Sequence, residues 1–483
     1  MKICWTTPPP PADMWGALSD VGSVLPPLGL CYLAAVSRNL NWDALIIDCY
    51  AEKLTAAAAV QKISAFGPDI VGITATTQEI DMAAQLAAAL KRALPERMVI
   101  LGGVHVTSLP VETLERYPAF DLAFIGESEA TLPEFLEAYQ ADRPFATIAG
   151  LALRRQPREV PQTLTTHCGA TGNGTVFLTS QRPPIDNLDE LPLPAFDLLL
   201  PLDRHYRPAV YNYKRLPAAG LVTSRGCPGK CSFCDRSVFG NRIRMLSADR
   251  ILDMICELKT RYGIREISFY DDTLVAHRKR FEALCERLIT AKLDITWSCN
   301  ARVDMVSPER LDLMRRAGCW QISYGIESGE QAMLNVLKKR ITLAQVEKAV
   351  TWSRAAGLTV KGYYMIGVPG ETPATLKKTE RHLLGLPLDD ILLEYFTPFP
   401  GTELYDRILA KNIPLPDWSQ LNTFELAYIP FGLNRRALET AYRRIIIRFY
   451  LRPRIIWSYI RRFASPFKML LLARAFIKFI KPG

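Results

Sequence analysis

Cys227, Cys231 and Cys234 stand in the string Cys227-Pro-Gly-Lys-Cys231-Ser-Phe-Cys234, a C-x3-C-x2-C spacing directly after a short apolar run. Three thiolates on one loop can hold three irons of a 4Fe–4S cluster. The fourth iron then has no protein ligand and is open to a substrate or cofactor, whereas electron-transfer clusters use four cysteines. The alternative is a structural zinc ion completed by a distant Cys or His, but zinc cysteines usually come as two separated pairs. No second pair lies nearby, and Cys256 and Cys285 fall inside helical patterns. The remaining cysteines, at 4, 31, 49, 168, 299 and 319, are scattered along a chain far longer than a secreted disulfide scaffold. The opening MKICWTTPPPP has no apolar signal core, so a reducing cytoplasm is the expected compartment.

Downstream of the cysteines, polar residues recur at the ends of apolar runs. Tyr270-Asp271-Asp272 ends one and Asn300 with Arg302 another. Tyr324-Gly325-Ile326-Glu327-Ser328-Gly329 ends a third, and Met365-Ile366-Gly367-Val368-Pro369-Gly370-Glu371-Thr372 a fourth. A single carboxylate at a strand end is more often a helix cap or a solvated charge; the shared placement after the cysteine loop gives the set its weight. RGCPGKCSFC and its followers resemble the radical S-adenosylmethionine (SAM) superfamily over about residues 220–410. The resemblance implies that SAM chelates the open iron and is cleaved reductively to a 5′-deoxyadenosyl radical. It also implies that Phe233 holds the aromatic position whose backbone lies near the adenine, that Asp271 and Asp272 lie near the SAM amino group, and that Asn300 and Arg302 end a SAM-binding strand at which Arg302 pairs with the carboxylate. Glu327 would then contact the ribose, and Ile366 and Gly367 the adenine side.

The elements that must carry these residues alternate regularly. GLVTS (220–224), EISFYDD (266–272), ITWSCNARV (295–303), QISYGIES (321–328), VKGYYMIG (360–367) and LLEYFTPF (392–399) read as strands, separated by helical stretches such as 248–262 and 343–357. Six such repeats predict a partial (β/α)6 TIM-type barrel with its chemistry at the C-terminal strand ends. Ahead of it, ALIIDCY (44–50), DIVGITA (69–75), MVILGG (98–103) and DLAFIG (121–126) alternate with helices. That pattern predicts an α/β, Rossmann-like doubly wound sheet with a ligand beyond its carboxyl ends. No GxGxxG follows the first strand, which disfavours a dinucleotide. The segments Pro26–Leu30, Thr74–Gln78, Gly102–Val106 and Gly126–Glu129 are similar to the cobalamin-binding domain that precedes the barrel in one branch of the superfamily. The similarity implies cobalamin contacts at Leu28, Gly29, Thr76, Thr77, Gly102, Gly103, His105, Gly126 and Glu127. One feature departs from the broader cobalamin family: the DxHxxG motif that supplies a cobalt-ligating His is missing. The nearest string, Asp203-Arg204-His205-Tyr206-Arg207-Pro208, lacks its glycine.

The expected organisation is a cobalamin-binding domain at 1–140, an extended Pro-rich linker at 141–215, the radical SAM barrel at 216–410 and a basic helical segment at 411–483. The formal charge of +10 sits in the tail: residues 435–483 hold thirteen Lys and Arg against Glu439, a balance of +12, and the rest of the chain sums to −2. The charge therefore gives no reason to expect a nucleic-acid partner. In the tail, arginines interleave with Ile, Phe, Tyr and Trp, which suits either an interfacial helix on anionic lipid at the inner membrane face or a helix packed on the barrel with a solvated basic face. The function expected is SAM- and cobalamin-dependent methyl transfer to an unactivated carbon of a small-molecule or lipid-like substrate, with electrons from a flavodoxin or ferredoxin. The alternatives are oxidation, cyclisation or rearrangement with the same cofactors, and a non-enzymatic cobalamin or iron–sulfur sensor.

Overall fold

The structure is a computed structural model that describes residues 1–10, 22–154, 175–209 and 212–462. Two sheets carry it. The first contains β1 (Lys2–Thr7), β2 (Asp43–Asp48), β3 (Ile70–Thr74), β4 (Met98–Gly102), β5 (Leu122–Phe124), β6 (Leu151–Arg154) and β7 (Val176–Leu178), ordered β2-β1-β3-β4-β5-β6-β7. Strands β1 to β5 are parallel; β6 and β7 add antiparallel at one edge. The near-continuous apolar runs are explained by burial on both faces. Ile3, Trp5, Ile70 and Ile100 face a core shared with helices 28–39 and 131–140, while Cys4, Val71, Val99 and Leu101 face helices 56–66 and 80–93.

Two elements depart from the sequence reading. KICWTT was not read as a strand, yet it is the interior strand β1, between β2 and β3. The stretch 141–215, expected to wrap without folding, supplies β6 and β7. Its pairing with β5 satisfies the backbone of what would otherwise be an open sheet edge. The rest of that stretch does wrap. Ala195 N–H donates to the Cys31 carbonyl, Tyr206 to Asp48 at 3.1 Å, and Asp189 accepts from Ser247 N–H at 2.8 Å, which straps the first sheet to the second.

The second sheet is an open half-barrel of six parallel strands: β8 (Ala218–Leu221), β11 (Glu266–Phe269), β12 (Thr296–Ala301), β13 (Cys319–Glu327), β14 (Thr359–Ile366) and β15 (Asp390–Tyr395), in the order β15-β14-β13-β12-β11-β8. A two-stranded ribbon, β9 (Ser224–Arg225) and β10 (Arg244–Met245), follows β8. The outer helices start where side chains can cap them: Ser247, His277, Ser307, Thr342 and Thr372 each accept from a backbone N–H of the first turn.

In the tail, helix 435–450 packs on the barrel as the second of the two readings has it, and helix 453–462 follows it. Leu438, Ile445 and Phe449 are buried against the barrel, and Arg444 and Arg448 both pair with Glu380 at 2.7 Å. Tyr450 and Tyr459 donate to Asp390. The second helix leaves Ile456, Trp457 and Ile460 exposed. The basic residues at 463–483 lie outside the described residues. Among the described residues no helix is long and apolar enough to cross a membrane. Because Phe449 is fully buried, Phe449→Ala should cost about 3–5 kcal/mol. A lower urea midpoint and faster tryptic cleavage at the arginines of helix 435–450 would register it.

Candidate active site

The cysteine loop is the connection between β9 and β10, and its root is fixed by Asp271. This carboxylate, fully buried at the end of β11, accepts from Thr223 N–H at 3.1 Å, Thr223 Oγ1 at 2.9 Å and Ser224 Oγ. Burial pushes its acid up against the pull of Arg280 and those donors. Asp271 thus ties the loop to the barrel, while Asp272, its neighbour in the sequence-derived pair, is exposed on the following turn. Gly226, with φ +84°, starts the loop. A Cβ there would lie 2.3 Å from the Arg242 carbonyl, so the turn admits only glycine.

The thiols gather beyond that turn. A Cβ placed on Gly229 would lie 3.3 Å from the Cys227 sulfur and 3.8 Å from that of Cys231, so the two converge over a glycine with no room to spare. Cys234 donates to Cys231; with help from Lys339 and Arg302, this draws the Cys231 thiol down to about 6 and pushes Cys234 up. Thiolates are the iron-binding form, and the positive charge of Lys339 and Arg302 favours them. Arg302 is itself held by Asp304, at 3.0 and 2.9 Å, and by the Lys339 carbonyl.

Lys339 had no motif to announce it, yet it organises this end of the barrel. Buried, it pairs with Glu327 at 2.7 Å and lies 5.8 Å from the centre of the Phe233 ring. Glu327 has φ +69°, a strained conformation for a residue with a side chain, at a register shift between β13 and β14. Gly325 leaves room for the pair, since a Cβ there would sit 2.5 Å from Glu327 Oε1. Asn300 accepts from Tyr363 at 3.2 Å. Ile366 is buried at the end of β14, and the N–H groups of Gly367 and Val368 donate to Glu371 at 2.5 and 3.3 Å. Burial of Glu371 pushes its acid up to about 7.

A second site opens at the carboxyl ends of β1, β3, β4 and β5. It is a cavity of about 250 Å³ lined by Trp5, Leu28, Gly72, Gly102, Phe124 and Val238 among others. Gly29, Gly103, Gly126, Glu127 and Phe239 also line it. Trp5 lies flat against Gly72, where a Cβ would come within 2.2 Å of the ring, while Cβ atoms at Gly29 or Gly102 would meet nothing within 4 Å. The result is an apolar slot whose glycines leave open space for a broad, flat ligand. Val238 and Phe239 come from the cysteine loop, so one wall of this slot belongs to the barrel. Thr76, Thr77 and His105 do not line it. Thr76 and Glu79 form a capping box, and His105 is buried 3.3 Å from Thr77 and edge-on to Trp418 at 4.7 Å. Burial draws the His105 imidazole down to about 4. His105 and Thr77 are buried beneath Trp418 of the C-terminal extension, while Thr76 is exposed. Among the described residues no histidine lines the slot.

Between the two sites runs a buried ion network. Arg225 pairs with Glu127 at 3.1 Å and with Glu129 at 2.5 Å, and Arg244 pairs with Glu127. All four are buried, and the Arg225 guanidinium also stacks near Tyr32 and Phe239. Glu127, expected at the cofactor, therefore borders the slot while clamping the cysteine ribbon to the first sheet.

Residues 14–136 match the B12 binding domain and residues 221–383 the radical SAM superfamily. An uncharacterised methyltransferase of Pyrococcus horikoshii is 34% identical over 94% of this chain and 94% of its own length. The chain belongs to the cobalamin-binding radical SAM enzymes. The anaerobic magnesium-protoporphyrin IX monomethyl ester cyclase of Rubrivivax gelatinosus is 26% identical over 87% of this chain and 73% of its own length. The cobalamin-dependent radical enzyme OxsB, solved with aqua-cobalamin and SAM bound, shares the fold with a TM-score of 0.72 at 16% identity, over 99% of this chain and 78% of that one. The family carries a 4Fe–4S cluster, SAM and cobalamin, and the residues present fit all three. Cys227, Cys231 and Cys234 offer thiols beside two cations, with Glu327 within electrostatic reach and Phe233 packed in one cluster with Met365 and Val368 of the β14 end. The slot offers an apolar cradle faced by glycine.

Trp5, Phe124, Arg225, Val238, Phe239 and Lys339 were missed by sequence reasoning. Arg225, Val238 and Phe239 had a usable signal, their closeness to the cysteine motif. Removing one member of a buried ion network leaves its partner unpaired, a cost of about 3–5 kcal/mol. Glu127→Gln should therefore lower stability by that order and reduce bound iron and cobalt together, as urea unfolding and metal analysis would report. The raised acid of Glu371 makes a pH prediction. A carboxyl raised from 4.5 to about 7 in the folded state stabilises fully below 4.5 and loses that contribution as pH rises through 7. The wild-type protein should lose about 3 kcal/mol over that window relative to Glu371→Gln, which does not titrate. Paired urea titrations at the two ends of the window measure the difference.

Proposed function

We propose that this enzyme transfers a methyl group to an unactivated carbon of a small molecule held in the barrel. The observation that carries the reading is the shared wall: Val238 and Phe239, four and five residues past the last cluster cysteine, line the slot of the first domain. A substrate at the mouth of the barrel would thus face both cofactor sites. When bound, the cluster with SAM supplies a hydrogen-abstracting radical, and cobalamin supplies a methyl donor. The chain's own residues do the positioning. Lys339 and Arg302 hold thiolates in their ligating form, Glu327 and the Gly367 turn shape the SAM side, and the apolar slot keeps water from reactive species. The name of the Pyrococcus relative supports methyl transfer.

The cyclase relative supports a second reading, in which the same cofactors oxidise or cyclise the substrate. For the reductant we infer a one-electron carrier of the flavodoxin or ferredoxin type. We read the exposed Ile456, Trp457 and Ile460 beside Arg461 as a face for an anionic lipid surface.

Anaerobically purified protein should hold about four irons and one cobalt per chain, and a serine at Cys231 should remove the iron. With SAM bearing a deuterated methyl group and the true substrate, the reduced enzyme should give a product heavier by that methyl, with 5′-deoxyadenosine alongside. Deoxyadenosine with an unmethylated, oxidised product would decide for the second reading.

A further inference from the structure

The inner face of the half-barrel carries several polar side chains, and one of its carboxylates has a single hydrogen-bond partner among the described residues. Strand alternation separates the faces. Tyr324 bonds Ser353 on helix 343–355, Tyr364 lies 3.4 Å from His382 on helix 373–385, and Tyr395 stacks on Tyr442 of helix 435–450. Those residues point outward, so Ser323, Tyr363 and Glu394, of opposite parity, point into the lumen. The Tyr363–Asn300 hydrogen bond agrees, because it passes from β14 to β12 over β13. At the carboxyl end of the lumen Asn300, Tyr363, Met365, Leu392 and Glu394 are each half-buried, so they face reachable space.

Deeper charges in the lumen are provided for. Glu266 accepts from two backbone N–H groups, Thr296 and Trp320. Asp390 faces Lys361 at 3.8 Å and accepts from Tyr450 and Tyr459. Glu327 has Lys339. Glu394 has only the hydroxyl of Thr423, 2.7 Å from its Oε1; its other oxygen has no partner among the described residues. Burial pushes the Glu394 acid up; the Thr423 hydroxyl and the more distant Lys361 ammonium draw it down, and the negative charge of Glu327 pushes it up, so Glu394 stands within electrostatic reach of the SAM side of the lumen. A hydrocarbon chain in this space would strip water from Asn300, Ser323 and Tyr363 and return no hydrogen bond. A cation would instead bind the Glu394 oxygen to which no described residue donates.

We propose that the lumen takes a small polar substrate carrying a protonated amine, and that Glu394 holds this amine with the carboxylate oxygen that Thr423 leaves free. The proposal rests on the methyl-transfer reading of the barrel and narrows its substrate to amines, away from lipids. The test uses the full chain with cluster, cobalamin and SAM bound, left unreduced so that nothing turns over. Its probes are cyclohexylamine, cyclohexanol and methylcyclohexane, which share a ring and differ in the group offered to Glu394. Saturation-transfer NMR titrations should show cyclohexylamine binding about tenfold or more tighter than either analogue. Glu394→Gln should abolish that preference at unchanged iron and cobalt content, and Glu394→Asp should retain part of it. Equal binding of the three probes, no binding of the amine, or an undiminished preference in Glu394→Gln overturns the proposal. Dithionite-driven cleavage of SAM to 5′-deoxyadenosine is measured separately. Its absence alongside Glu394-dependent amine binding would sink the radical reading and leave the amine site standing.

Discussion

Arg225 and Arg244 meeting Glu127 and Glu129 in a buried network is the contact on which the active-site geometry depends. The two arginines sit on the short ribbon that frames the cysteine loop, and the two glutamates follow the last parallel strand of the first sheet. Charges this deeply buried are tolerated only when paired, so the pairing selects one relative position of ribbon and sheet. Ser108 adds a polar tie from the first domain to Asp235 and Ser237 on the same loop, at 3.1 and 3.0 Å. A loop clamped on both sides can serve at once as cluster cradle and as wall of the neighbouring slot.

Inside the barrel the same logic works at smaller scale. Lys339 is buried in the barrel, which is costly for an ammonium, and it is held by Glu327 with the cysteine thiolates close by. Glu327 in turn adopts a strained backbone at a register shift. Strain and buried charge are concentrated where SAM and cluster are expected, while the outer face of the sheet is ordinary apolar packing against capped helices.

The lumen and the slot differ in kind. The slot is faced by glycine and apolar side chains and suits a broad flat cofactor. The lumen presents hydroxyls, amides and carboxylates beside Met365 and Leu392, and one Glu394 oxygen there receives no hydrogen bond from a described residue. A molecule brought to the junction of the two meets polar recognition on one side and a water-poor wall on the other, the environment that reactive radicals require.

The chain's sequence by itself determined the class of chemistry, because three cysteines at C-x3-C-x2-C spacing are a local feature that one loop delivers whole. It also determined both α/β layers, whose buried parallel strands leave long apolar runs. Tertiary structure alone decided what depends on partners distant in the chain. KICWTT became an interior strand because β2 and β3 flank it, and segments 151–154 and 176–178 became strands because β5 offered an open edge. His105 packs under Trp418, and Asp271, read as a cofactor contact, anchors the root of the cysteine loop through Thr223 and Ser224. Lys339 and Phe239 carry no motif; their roles come from meeting Glu327 and Arg225, twelve and fourteen positions away in sequence. Periodicity and spacing report neighbours along the chain, whereas burial and charge pairing are settled only when separate segments share one interior.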